Sequence, residues 1–115
     1  MSGRSGPETI GLIRLRELMH ERGWLTLKTH GNAFQEGLPD LLCFHPTRGI
    51  RLVEVKTEKG RFTPAQLTTF HKISGHGGMI WVLIVTDPPE NNHLISQISL
   101  LDKRPNWTFY LEKMG

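Results

Sequence analysis

The chain has 115 residues, a single cysteine, and fourteen Lys and Arg against eleven Asp and Glu, for a net charge of +3. That length suits one domain with a core of its own, burying roughly two-thirds of the unfolded surface, and excludes two. A lone Cys43 excludes an internal disulfide, no apolar run approaches a membrane span, and a pI near 9.4 suits a polyanion partner without requiring one.

The opening "MSGRSGPE" carries no apolar segment suited to secretion, which points to a reducing intracellular compartment. "SGPETIGLIRLRELMHERG" reads as a helix: Ser5 or Gly6 caps it, Pro7 occupies the first turn and Gly23 ends it. Leu12, Leu15 and Met19 form its buried stripe, and Glu8 extends that stripe one turn toward the N-terminus. "WLTLKT" reads as a strand and "HGNAFQEGLP" as a loop. "DLLCFH" and "IRLVEVKT", separated by the turn "PTRG", form a hairpin, with Cys43 a buried free thiol. "EKGRF" is a basic turn, and a second helix runs from "TPAQ" to about Ser74 before "GHGG". "MIWVLIVT" is apolar throughout, as expected of a strand buried on both faces. Beyond it the pattern weakens: "HLISQISLL" fits a short helix or a strand, and "WTFYLE" a final strand. The order αβββαβ gives an α/β fold, a mixed sheet flanked by helices.

Chemistry concentrates at "GLPDLLCF" and "VEVKT". Period-two alternation points Leu52, Glu54 and Lys56 to one face and Val53 and Val55 to the other. The bland reading puts the charged residues to solvent. If the strands pair, however, Asp40, Glu54 and Lys56 meet at one end of the sheet, with Glu8 able to join from the first helix. Two unit charges about 4 Å apart repel by roughly 4 kcal/mol at an effective dielectric near 20, so such a cluster calls for protonation or a cation. Hard oxygen donors suit Mg²⁺, or Mn²⁺ in its place, and the Val55 carbonyl is placed to add another oxygen. Lys56 on the same face would orient a water or stabilise charge on a phosphate, so the pattern reads as metal-assisted phosphodiester hydrolysis.

"PD" at 39 and 40 followed by Glu54-Val55-Lys56 resembles the PD-(D/E)XK nuclease motif. The fuller pattern, "GLPDLL" and then "LVEVKTEKGRFTPAQLTTF", resembles the virus-type replication-repair nuclease (VRR-NUC) family over residues 8 to 86, in the form found as small stand-alone phage proteins. The resemblance implies a PD-(D/E)XK nuclease-like core, Asp40 and Glu54 as metal ligands, Lys56 as the catalytic lysine and Gln66 as an active-site glutamine. It also implies a bacterial or phage-infected host cytoplasm. Gln66 has a second explanation in Thr63-Pro64-Ala65-Gln66, a capping box, although it shares a stripe with Phe70 and Ile73 and so points to the sheet. The family's first-helix glutamate corresponds to Leu12 by counting back from Gly23; Glu8, one turn earlier, stands in for it or simply favours the helix dipole.

The six histidines show no zinc-ligand spacing. Lys28, His30, Lys59 and Arg61 are candidate phosphate contacts, each otherwise an ordinary solvated or loop residue. Trp24, Trp81 and Trp107 read as core or interface.

The leading expectation is a Mg²⁺- or Mn²⁺-dependent DNA endonuclease. By resemblance it acts on branched DNA such as four-way junctions, as a homodimer that supplies two sites. The alternatives are a monomeric nicking or repair nuclease and a non-catalytic DNA-binding subunit. Residues 87 to 115 lie outside the resemblance; their apolar Ile95, Ile98, Leu100, Leu101, Trp107, Phe109 and Tyr110 would form a dimer contact or finish the sheet.

Overall fold

A computed structural model describes residues 7–29 and 37–115, without the side chains of Pro7 and Glu8. The elements run α1 (Pro7–Glu21), β1 (Leu25–Lys28), β2 (Leu41–His45), β3 (Gly49–Thr57), α2 (Pro64–Gly75), β4 (Ile80–Val85) and α3 (Asn91–Ser99). Two 3₁₀ turns, Leu100–Asp102 and Trp107–Tyr110, and a short α4 (Leu111–Met114) follow. The caps expected at Ser5 or Gly6, and most of the loop expected after β1, lie outside the described residues.

The four strands form one sheet in the order β1-β2-β3-β4. The first three pair antiparallel and β4 lies parallel to β3, so the sheet is mixed as expected. A parallel neighbour cannot be reached by a tight turn; α2 makes the crossover between β3 and β4.

One face of the sheet carries Leu41, Cys43, Val53, Val55, Trp81, Leu83 and Val85, and it packs with Leu15, Leu18 and Met19 of α1 and Leu94 and Ile98 of α3. Gly11 lets α1 lie close on β4, since a Cβ there would fall 2.6 Å from that of Val85. Burial pushes the Cys43 thiol up to about 12, so it is an inert core residue. The other face packs Ile80, Val82 and Ile84 beneath Phe62, Phe70, Trp107 and Met114.

The C-terminal residues depart from expectation. "WTFYLE" is not a strand: Trp107–Tyr110 is a 3₁₀ turn that leads into α4. The Trp107 ring packs edge-on against Phe62 and Phe70, and its Nε1–H donates to Ser74 Oγ at 2.8 Å. That packing overrides the β-preference of its aromatic residues. "HLISQIS" resolves as helix α3.

The segment therefore does not extend the sheet but closes it. Asn106 Oδ1 accepts from Val82 N–H at 2.6 Å, and its Nδ2 donates to the Val82 carbonyl at 3.0 Å. Gln97 Oε1 accepts from Ile84 N–H, and His93 Nε2 reaches the Ile84 carbonyl. Side chains thus satisfy the outer edge of β4, which lets an edge strand be wholly buried. The same packing corrects the suggested dimer contact: Ile98, Leu101 and Trp107 are core, Ile95, Leu100 and Tyr110 pack against it, and only Phe109, 68 % exposed, stands clear.

Candidate active site

The register of β2 with β3 aligns Leu41 with Val53, which sets Asp40, the residue before β2, beside the Glu54–Val55 step. Asp40 Oδ2 accepts from Val55 N–H at 2.7 Å, and Glu54 Oε1 accepts from Asp40 N–H at 3.2 Å. The two carboxylates are laced together through backbone. A strand residue directs its carbonyl to the same side as its N–H, so the Val55 carbonyl opens toward Asp40.

Lys56 follows on the Glu54 face. Its Nζ lies 3.4 Å from Glu54 Oε2 and donates to Gln66 Oε1 at 3.0 Å and to the Arg61 carbonyl at 2.7 Å. Gln66 completes the cluster. Its Oε1 accepts from Thr63 N–H while Thr63 Oγ1 accepts from Gln66 N–H, the reciprocal capping box at the start of α2. Its Nε2 donates to Glu54 Oε2 at 2.7 Å. One amide therefore caps the helix and bridges the acid and the amine.

All four side chains are buried: among the described residues, Asp40, Glu54, Lys56 and Gln66 are the buried polar residues besides Thr26. Burial, with the adjacent Asp40 charge, pushes Glu54 up to about 8 from the usual carboxylate range, against the opposing pull of Lys56 and Gln66. Folded protein then holds a proton that the unfolded chain has released, from about pH 4.5 up to about pH 8. This contribution to stability is full below the lower limit and lost as pH rises through the upper. In chelator, melting temperature is expected to fall across that window. A thermal melt series checks it, and a rise with pH there would contradict the raised Glu54.

Two supports were not visible in the sequence, because they are backbone groups. The Arg61 carbonyl fixes Lys56, and the turn carrying it is held by Phe62 N–H donating to the Met114 carbonyl at 2.7 Å. Arg61 Nη1 also donates to the Lys113 carbonyl at 3.4 Å. The last turn of the described chain thereby braces the lysine.

Other candidates are not gathered here. Lys59 and Arg61 are exposed on the turn after β3, beside the cluster. Lys28, the other lysine expected to contact phosphate, is exposed and in register with Leu41, hence on the α1 face of the sheet and not the Glu54 face. His30 lies outside the described residues, as does the Glu8 side chain. Glu17 is solvated and pairs with Arg14. Among the described residues no three of His, Cys, Asp and Glu gather in one place. The donor set on view is two carboxylates, one pushed toward protonation by burial and then by the other's charge, beside the Val55 carbonyl. Such oxygen donors fit a hard divalent cation, which would relieve the repulsion.

Comparison with known proteins gives the family and the fold. The family model of the VRR-NUC domain matches residues 15–87, a span that includes Asp40, Glu54, Lys56 and Gln66 and leaves out Glu8. A solved structure described as a VRR-NUC domain superposes with a TM-score of 0.64 at 22 % identity, over 85 % of this chain and 97 % of that one. No curated protein matches the chain significantly.

Proposed function

The chain belongs to the VRR-NUC family, and from that premise we propose that it is a metal-dependent DNA endonuclease selective for branched substrates. The observation that carries the reading is the mutual bonding of Asp40, Glu54, Lys56 and Gln66 in a buried cluster. No helix of the described residues is long and apolar enough to cross a membrane.

In this reading Asp40, Glu54 and the Val55 carbonyl hold Mg²⁺, or Mn²⁺ in its place. The cation would supply charge that polarises a phosphoryl oxygen and acidifies water at the site. Lys56, held by Gln66 and the Arg61 carbonyl, presents an ammonium that orients the attacking water and balances charge growing on the phosphate. Gln66 acts through the others, fixing Glu54 and Lys56 relative to one another. Lys59 and Arg61, exposed on the turn after β3, meet the DNA backbone, whose contacts carry position and not sequence. A domain of this size recognises shape more readily than a long base sequence. Paired cuts in a four-way junction need two sites, hence a homodimer.

Labelled linear, flapped and four-way-junction DNA, incubated with Mg²⁺ or Mn²⁺, tests this substrate class. Junction cleavage in paired fashion is expected from wild type and none from Lys56→Ala. Cutting of flaps or single strands alone would favour the monomeric nicking enzyme.

A further inference from the structure

The C-terminal segment folds over one face of the sheet and buries Trp107 and Met114, yet it leaves the Phe109 ring 68 % exposed. The ring is nevertheless held in place. The Phe109 N–H donates to the Asn106 carbonyl at 3.0 Å, and the Asn106 amide is itself fixed to both backbone groups of Val82. Tyr110, packed at the margin of the core, meets Phe109 edge-on with ring centroids 5.3 Å apart. An exposed apolar residue carries no message by itself. The surroundings of this one do.

Lys113 Nζ stands 5.5 Å from the Phe109 ring centroid and 6.0 Å from that of Tyr110. Arg61 Nη1 donates to the Lys113 carbonyl, and the next residue, Phe62, donates its N–H to the Met114 carbonyl. The Arg61 carbonyl in turn accepts from Lys56 Nζ, and that ammonium lies 5.7 Å from the Phe62 ring centroid. Residues 61 and 62 thus touch Lys56 on one side and α4 on the other. On this turn and α4 the exposed Lys59, Arg61 and Lys113 outnumber the exposed Glu58 and Glu112. A rigid aromatic ring therefore stands in water among cations, one turn of chain away from the buried cluster.

We propose that Phe109, with Lys113 and Arg61, forms a stacking platform for an unpaired nucleobase of a strand that runs on from the active site. Every nucleobase offers a π-face, so stacking on an aromatic side chain tolerates any sequence, while flanking cations hold the backbone. A base within a duplex has its faces covered by its neighbours. The platform consequently favours unpaired nucleotides, at a flap, a branch or a single-stranded end. Because the ring is fixed before contact, little conformational freedom is lost on binding. A protein partner fits less well, since the centres of protein interfaces are depleted in Lys and Glu and this ring stands beside both. Placing the stacked base next to the cleaved bond rests on the nuclease reading; capture of a single strand does not.

Fluorescence anisotropy of a labelled oligothymidylate and of a blunt duplex, both in chelator, tests the platform, with flap cleavage in Mg²⁺ read separately. Wild type is expected to bind the single strand. Phe109→Ala should weaken that binding about 10-fold and change duplex affinity by less than about 2-fold, with an unaltered melting temperature. Phe109→Trp should bind the single strand at least as tightly as wild type. Lys113→Gln should lower the log–log salt slope on the single strand by about 0.7, one phosphate's share, whereas Phe109→Ala should leave the slope unchanged. Ile13→Gln, which removes an exposed apolar side chain from α1, should bind as wild type does. The proposal is overturned by a wild type with no affinity for the single strand, or by Phe109→Ala binding as wild type does or losing duplex affinity equally. Weak binding by Phe109→Trp or Ile13→Gln, or a wild-type salt slope in Lys113→Gln, would overturn it too. So would a Phe109→Ala variant altered only in its oligomeric state by light scattering, which assigns the ring to a protein contact. The expected binding pattern without cleavage by wild type would support the platform and count against the nuclease reading.

Discussion

Asp40→Asn is expected to lose at least about 10³-fold in DNA cleavage while metal-free protein melts no lower than wild type. In the proposed metal-dependent reaction the loss follows from removing one of two carboxylate donors to a cation that would supply several kcal/mol of transition-state stabilisation. Retention of the fold follows from geometry. Asp40 Oδ2 accepts from Val55 N–H, and the amide oxygen of asparagine can accept the same bond. The substitution also removes the neighbour that helps push Glu54 toward protonation, so apo repulsion declines. Glu54→Gln is a poorer test, because its amide nitrogen would face either Asp40 N–H or the donors on Gln66 and Lys56. Three readings on Asp40→Asn check the account: turnover, melting temperature in chelator, and the rise in melting temperature on adding Mg²⁺, which should vanish. A marked loss of apo stability would identify Asp40 as a structural residue.

Gly37→Ala should strike the same site from a distance. Gly37 has a φ of +87°, and a Cβ there would lie 2.6 Å from both the Ala65 carbonyl oxygen and Thr69 Oγ1 of α2. The chain three residues before Asp40 therefore lies directly on the helix that carries Gln66. Left-handed backbone costs an alanine roughly 1 kcal/mol, and the backbone clash adds to it, for about 2–4 kcal/mol in all. Relief requires the Asp40 segment to move off α2. A displacement of about 1 Å at a catalytic group can cost roughly 10²-fold in rate, so turnover should fall with stability. Gly37→Asn separates the two causes: asparagine tolerates the left-handed region but brings the same Cβ, so it should rescue little. Wild-type turnover in Gly37→Ala, or full rescue by Gly37→Asn, would contradict the close-approach explanation.

Much of this was legible before the structure. The Thr63–Gln66 box, the apolar run of β4 and the Asp40…Glu54-Val55-Lys56 spacing are local signals, and local signals survive folding. Gln66 illustrates the point: its place in the box and its place in the Phe70 stripe are both realised, by different atoms of one amide. What the sequence concealed lies in contacts between distant segments. β4 reads as a central strand because it is buried throughout, yet it is an edge strand whose missing partner is built from His93, Gln97 and Asn106. "WTFYLE" alternates like a strand, but the pocket made by Phe62 and Phe70 decides where Trp107 goes. In β1 the period of two is plain, whereas its phase, Thr26 inside and the leucines outside, is set by Arg16 and His20 reaching across from α1. The carbonyls of Arg61 and Met114 have no residue signature at all.

Cation dependence of cleavage is the most direct measurement of the central claim, that Asp40, Glu54, Lys56 and Gln66 form a metal-dependent nuclease centre. Purified wild type and Asp40→Asn are titrated in parallel with Mg²⁺ and Mn²⁺ from a chelated start, on labelled branched DNA. Wild-type cleavage absent in chelator and restored by either cation, with Asp40→Asn inert throughout, is the result the account predicts. Undiminished wild-type cleavage in excess chelator, or equal activity in Asp40→Asn, would contradict it.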